Sequence, residues 1–178
     1  MTSFTLPSLT LATAAPADAD VVVIGLADGA STPVLVGASD QLQKRVAKQF
    51  GRALLEVALS LGGTTKPGVT VTLPGPDGTR VVGVGLGDLD VTPEQVRRAA
   101  GNGVRQAAAL AGDGSVTVAV CLDAVEPDVI RGAAEGAVLG AYSFVKVSGS
   151  EPAPSVAAIT VVSSSGKPEA RRAVDTAR

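Results

Sequence analysis

The chain has 178 residues, a formal net charge of −2 and no cluster of Lys or Arg, which argues against nucleic-acid binding. No apolar run approaches the roughly 18 residues that a transmembrane helix needs, so no membrane partner is predicted. Apolar residues make up 46% of the chain but aromatic residues only 2%, so a core must consist of aliphatic side chains.

The first half of the chain predicts two longer strands, a short one and a long helix. Ser3–Leu11 is compatible with an edge strand, because Pro7 removes a hydrogen-bond donor. The β-branched run Asp20–Leu26 predicts a strand buried on both faces, and Val34–Val36 is a short apolar run. Beyond Ser39, apolar residues recur every three or four positions and predict one amphipathic helix that ends at Gly62. They are Leu42, Val46, Phe50, Leu54, Val57 and Leu61.

A hairpin and a well-capped helix follow. Val69–Leu73 and Arg80–Leu86 flank a turn rich in Pro and Gly, which predicts an antiparallel pair of strands. Thr92 and Gln95 form a capping-box pattern at the start of the next helix. Two glycines inside that helix, Gly101 and Gly103, indicate a closely packed neighbour. The inward face is predicted to hold Val96, Ala100, Val104, Ala107 and Ala111.

The remaining elements alternate between strand and helix. Ser115–Leu122 predicts a buried strand, Pro127 opens a helix, and residues 151–154 form a stiff connector. Ala157–Val162 predicts the last strand, and a polar helix begins at Pro168. This order predicts an α/β fold, a three-layer sandwich whose mixed, mostly parallel sheet is flanked by helices.

Residues suited to catalysis or metal binding are scarce. Without histidine, the commonest general base and metal ligand is missing. Cys121 lies in an apolar run and is predicted to be a buried, unreactive thiol. The acidic pairs Asp18/Asp20 and Asp88/Asp90 sit at strand ends, where solvated turn residues are the ordinary interpretation. No catalytic, cofactor-binding or metal residue is therefore predicted in the chain.

Three other features have both a functional and a structural interpretation. The glycines of Gly83–Gly87 follow a strand, as in phosphate-binding loops, but their spacing does not fit a dinucleotide fingerprint; packing of the strand end against a helix is the favoured interpretation. The arginine doublets at 97–98 and 171–172 are interpreted as solvated faces or contacts with a neighbouring domain. Tyr142 and Phe144 are predicted to be packing anchors.

Two stretches resemble the amino-terminal domain of the leucyl (cytosol) aminopeptidase family. Arg80–Gly87, followed by the Thr92–Glu94 helix start and Arg98–Gly101, is similar to the middle of that domain. Ala134–Phe144 is similar to the stretch that closes it. Departures occur at Val145–Val147, where the family usually has an acidic residue and Tyr-Lys, and at Thr64–Gly68, where it often has Phe-Lys-Gly.

The resemblance implies a macro-domain-like fold and a cytoplasmic parent enzyme that forms a homohexamer. It implies that two divalent metals, Mn or Zn, lie in a carboxy-terminal catalytic domain, together with the residues that release N-terminal residues, preferably Leu, from peptide substrates. Residues 1–165 would then be the amino-terminal domain, and residues 166–178 the start of a connecting helix. The chain by itself would serve assembly or substrate access. Two alternatives remain open: a macro-like module that binds ADP-ribose or another nucleotide, and a purely structural oligomerisation domain.

Overall fold

The described residues, 6–142, 155–165 and 167–177 of a computed structural model, form a seven-stranded sheet with helices on both faces. The strands are β1 Ser8–Ala12, β2 Val21–Asp28, β3 Pro33–Val36, β4 Thr70–Pro74, β5 Arg80–Asp88, β6 Ser115–Cys121 and β7 Ser155–Val162. The helices are α1 Asp40–Phe50, α2 Leu54–Ser60, α3 Pro93–Ala109, α4 Pro127–Ala141 and α5 Pro168–Thr176, with a 3-10 turn at Pro76–Gly78.

The sheet is mixed but mostly parallel, which confirms the fold class predicted from the order of elements. Its strand order is β1-β7-β6-β2-β5-β4, and β3 pairs with the end of β2. The pairs β1–β7, β7–β6, β6–β2 and β2–β5 are parallel, whereas β3 and β4 are antiparallel to their partners. The antiparallel pairing of β4 with β5 is the predicted hairpin. At one edge lies β1, as predicted, although the strand begins at Ser8 and Pro7 precedes it.

Alternate residues of the central strand β2 face two separate cores. Val21 and Val23 pack beneath α3, α4 and α5, together with residues of β5, β6 and β7. Val22 and Ile24 point the other way, into a smaller core with α1 and α2. Since successive side chains of a strand point to opposite faces, a strand buried on both sides must be apolar throughout. The continuous β-branched run of β2 is therefore what a central strand between two helical layers requires.

The long helix predicted between Ser39 and Gly62 is wrong, because the structure has two helices there. Gly51 ends α1 in the left-handed conformation, with φ of 65°, and its N–H donates to the carbonyl of Ala47. The chain then restarts as α2 at Leu54, where Leu54 and Val57 are buried. Glycine adopts this backbone conformation at little cost and commonly ends helices in this way. Leu61, the last residue of the predicted apolar stripe, is 54% exposed.

The polar helix α5 packs onto the rest of the fold. Its buried residues Ala170, Ala173 and Val174 belong to the larger core, and its neighbours are α4 and β1. An isolated helix of this length would be marginal in water, so this packing is what stabilises it. The predicted connector at residues 151–154 lies outside the described residues.

Candidate functional site

The glycine run at the end of β5 is covered by the loop of residues 64–68. The Gly85 N–H donates to the carbonyl of Val69 at 2.9 Å, and the Gly87 N–H donates to that of Thr65 at 2.7 Å. A methyl group on Gly85 would overlap the carbonyl oxygen of Lys66. The prediction of tight packing is confirmed, although the covering element is a loop and not a helix. These two N–H groups are engaged within the chain and do not point at a ligand.

The two acidic pairs lie at strand ends, as predicted, and Asp88 is paired in register with Asp28 at the end of β2. The Asp20 carboxylate accepts hydrogen bonds from the backbone N–H of Thr117 at 2.8 Å and from its hydroxyl at 2.9 Å. It thereby links the starts of β2 and β6. Asp88 and Asp90 are exposed. Within residues 6–142, 155–165 and 167–177, no three His, Cys, Asp or Glu side chains come together in a way that could hold a metal ion.

Cys121 is buried at the end of β6, which confirms the interpretation of this thiol as a core residue. Only 5% of the residue is exposed. Burial, assisted by the negative charge of Asp123, raises the pKa of the thiol to about 12. Since the thiolate is the reactive form of cysteine, this environment opposes nucleophilic or redox chemistry near neutral pH.

An ion-pair cluster occupies the first turns of α3. Arg97 donates two hydrogen bonds to the Glu94 carboxylate, at 2.6 and 2.9 Å, and Arg98 donates one at 2.7 Å. The hydrogen bonds from Arg97, followed by that from Arg98, lower the pKa of Glu94 to about 2. The same carboxylate raises the pKa of Arg97 above its ordinary value. The cluster is exposed, so salt screens it and it contributes little to stability.

Three glycines, spaced four residues apart on α4, let it lie directly against α3. A methyl group on Gly132, Gly136 or Gly140 would meet backbone atoms of Pro93, Arg97 or Gly101, respectively. The predicted close neighbour of Gly101 is therefore α4, and Gly103 packs on the Val23 side chain instead. The four-residue spacing of these glycines is visible in the sequence. The sequence does not show that the helix they contact is α3.

A concave surface runs over the outside of the α3–α4 contact to the end of α5; we call it the outer groove. One part, of about 280 Å³, lies along α3 and α4, and the other, of about 440 Å³, lies between α4 and the end of α5. It is lined by Arg97, Arg98, Gly101, Asn102, Arg105, Glu135, Gly136, Val138, Leu139, Gly140, Thr176 and Ala177. Sequence reasoning did not identify this groove, because its three walls come from separate elements.

Tyr142, one of the two predicted packing anchors, lies directly after α4. Helix α4 ends at Ala141, and Tyr142 has an extended backbone with φ of −68° and ψ of 122°. The change of direction leaves the residue 56% exposed. Phe144, the other predicted anchor, lies outside the described residues.

None of the helices in the described part of the chain has the length and apolar character that a bilayer-spanning helix requires.

Comparison with known proteins supplies the identification that the side chains themselves do not. Residues 21–148 match the N-terminal domain of the cytosol aminopeptidase family. The chain belongs to this family. A probable cytosol aminopeptidase of Cutibacterium acnes is 40% identical over 157 residues, covering 87% of this chain and 31% of the relative. One from Streptomyces griseus is 37% identical over 156 residues, covering 82% of this chain and 28% of the relative. The chain thus spans about a third of the length of the curated relatives that it matches.

Two solved structures share the arrangement of elements. The bottromycin maturation enzyme BotP, solved in complex with Mn, is 29% identical with a TM-score of 0.51, covering 89% of this chain and 29% of that one. A mutant of tomato leucine aminopeptidase has a TM-score of 0.66 and covers 98% of this chain and 36% of the other. The tomato protein is only 19% identical, so this likeness is evidence of the shared fold alone.

Proposed function

We propose that this chain is the non-catalytic N-terminal domain of a cytoplasmic metalloaminopeptidase that releases N-terminal residues from peptides and prefers Leu. The observation that carries the proposal is the partial coverage of the relatives. The chain matches the N-terminal domain of the family and spans 31% of the Cutibacterium relative, so a catalytic domain in the same polypeptide is implied. The domain would serve assembly, within a homohexamer, or access of the substrate.

The chemistry of the described side chains supports placing the metals in that other domain. A centre of two divalent ions, Mn or Zn, requires several carboxylate or other donor groups that converge within a few ångströms. Among the described residues no three such groups converge, Asp20 is engaged by Thr117, and the Cys121 thiol is buried and protonated near neutral pH. The residues present in this part of the chain do not fit such a centre, and no step of peptide cleavage is assigned to them.

The proposal includes a domain boundary between residues 165 and 166. Helix α5 would begin the connection to the catalytic domain. Its inner face, formed by Ala170, Ala173 and Val174, is fixed on the larger core. Because α5 is packed on the core, it would fix the direction in which the polypeptide leaves the domain. A flexible linker would leave that direction free.

The test is to compare the 178-residue chain with the full-length protein that contains it. In the presence of Mn²⁺, the full-length protein should release p-nitroaniline from leucine p-nitroanilide, and EDTA should abolish this activity. The 178-residue chain should give no turnover under the same conditions. EDTA-sensitive turnover by the short chain would contradict its non-catalytic role. A full-length protein inactive on every aminoacyl p-nitroanilide would contradict the aminopeptidase assignment.

A further inference from the structure

The outer groove presents an exposed apolar side chain on a floor of backbone atoms. Leu139 is 56% exposed, and the neighbouring Val138 is half-buried. Beneath them, Gly136 and Gly140 bring the two helices into direct backbone contact, so the floor is shallow and smooth. An occupant that covers Leu139 and Val138 would remove this apolar surface from water, which is favourable.

The charge along one wall of the groove is positive. Arg97 and Arg98 share the single carboxylate of Glu94. Arg105, one helical turn beyond Asn102, donates to the amide oxygen of Asn102 at 3.4 Å. Because an amide has no net charge, this contact does not neutralise the guanidinium of Arg105. The Glu135 carboxylate across the groove accepts a hydrogen bond from Arg131. Guanidinium groups therefore outnumber carboxylates here, although Glu135 also acts on the charge of Arg97, and this excess favours an occupant with acidic side chains.

The end of α5 supplies the other wall. Thr176 and Ala177 line the same concavity as Leu139 and Val138. In the longer relatives, the domain is N-terminal and covers only about 31% of the polypeptide. The polypeptide that follows α5 would therefore start at the groove, and a segment of the same chain can reach it with little loss of conformational entropy.

We propose that the outer groove is the docking surface for the polypeptide that follows α5 in the full-length chain. An apolar side chain of that segment would cover Leu139, and an acidic one would pair with Arg98 and Arg105. The inference rests on the proposed function, since it needs a catalytic domain after α5. Docking there would fix the orientation of the catalytic domain relative to this one. The segment that joins the two domains would then be held by the end of α5 and also by its contacts with the groove.

The experiment places a photo-cross-linking amino acid, p-benzoylphenylalanine, at position 139 of the full-length protein. Leu61 provides a matched control position, because it is 54% exposed and follows α2 on the opposite face of the sheet. Equal amounts of ¹⁴N- and ¹⁵N-labelled protein are mixed before irradiation, so that mass spectrometry separates links within one chain from links between copies. We expect position 139 to link to residues beyond 178 of its own chain, and position 61 not to do so.

A second measurement does not depend on the cross-link. In the folded full-length protein, we expect maleimide to label a Leu139→Cys variant roughly tenfold or more slowly than a Leu61→Cys variant, with labelled peptides quantified by mass spectrometry. Equal labelling rates, or cross-links from position 139 to another copy, would overturn the proposal. The activity of the unmodified protein on leucine p-nitroanilide is measured in parallel. Activity without docking refutes this inference alone, whereas docking without activity refutes the proposed function alone.

Discussion

Gly136 of α4 lies directly against the backbone of Arg97 in α3, so that a Cβ at position 136 would come within 2.9 Å of the Arg97 Cα. It would overlap the Arg97 carbonyl oxygen still more. Backbone atoms cannot rotate away as the end of a side chain can, so any side chain at position 136 forces the two helices apart. The same relationship holds one turn away on each side, at Gly132 and Gly140.

We predict that Gly136→Ala destabilises the domain, even though Ala is the better helix former. Ala would favour the helix by up to about 1 kcal/mol. Overpacking a tight contact costs about 1–3 kcal/mol. The clash is with backbone on a helix that forms much of the larger core, so the second effect should prevail. Urea unfolding followed by circular dichroism measures the difference.

Gly114→Ala is the control for this prediction. Gly114 lies outside the helices, and the nearest atom to an added Cβ would be the Ala111 carbonyl oxygen at an ordinary 3.5 Å. Its change in the free energy of unfolding should stay within about 0.5 kcal/mol. If Gly136→Ala proved as stable as this control, the close helix contact described here would be wrong.

The sequence was sufficient to predict elements whose signals are local. β2 is apolar on both faces because it lies between two helical layers, and continuous β-branched residues indicate this without further information. The start of α3 was equally predictable, since both hydrogen bonds of the Thr92/Gln95 capping box are formed. The prediction of a single helix between Ser39 and Gly62 is wrong because the apolar spacing continues across Gly51. The left-handed conformation at that residue, and not the periodicity, decides where α1 ends.

Features that need two distant segments could not be predicted. The loop at residues 64–68 covers the glycines of β5 through hydrogen bonds such as that from Gly87 to Thr65. Neither segment carries a signal for the other. The outer groove likewise depends on α3, α4 and the end of α5 coming together, and the exposure of Leu139 follows from that arrangement. Such contacts arise from topology, which single-residue patterns do not encode.

The buried thiol of Cys121 should make stability fall at high pH. Burial raises its pKa in the folded state from 9.0 to about 12, so between these values the unfolded chain releases a proton that the folded chain retains. Stability from this group is complete below pH 9 and is lost as the pH rises through that window. At about pH 10 the loss should be about 1.4 kcal/mol.

Urea unfolding of the wild type and of Cys121→Ala, at about pH 7.5 and pH 10, tests the effect of the thiol. Other groups titrate in both proteins and cancel in the comparison. The Ala variant should be less stable at the lower pH, because it leaves a small cavity, but the gap should narrow at the higher pH. A constant gap would show that the thiol has a similar pKa in the folded and unfolded states.

The Glu94 carboxylate should titrate near pH 2, well below its ordinary value of 4.5. A depressed pKa means that its contribution to stability is present above pH 4.5 and is lost as the pH falls towards 2. Since the Arg97 hydrogen bonds are the largest cause, Arg97→Ala should raise the pKa of Glu94 more than Arg98→Ala does. Carboxyl ¹³C NMR titration of the wild type and of the two variants gives the pKa of Glu94 in each protein. A larger rise in the pKa of Glu94 in Arg98→Ala than in Arg97→Ala would contradict the bidentate geometry of Arg97.

Finally, the domain should not bind ADP-ribose through its glycine run. A phosphate in such a loop needs free backbone N–H groups, but those of Gly85 and Gly87 donate to Val69 and Thr65. Opening the loop at residues 64–68 would break the Gly87–Thr65 hydrogen bond and expose the end of β5, while Gly85 would stay bonded to Val69. Isothermal titration calorimetry of the 178-residue chain with ADP-ribose should therefore give no dissociation constant tighter than about 1 mM. Binding in the micromolar range would require the loop at residues 64–68 to move aside, and would favour the nucleotide-binding alternative over a domain that acts only within the larger aminopeptidase.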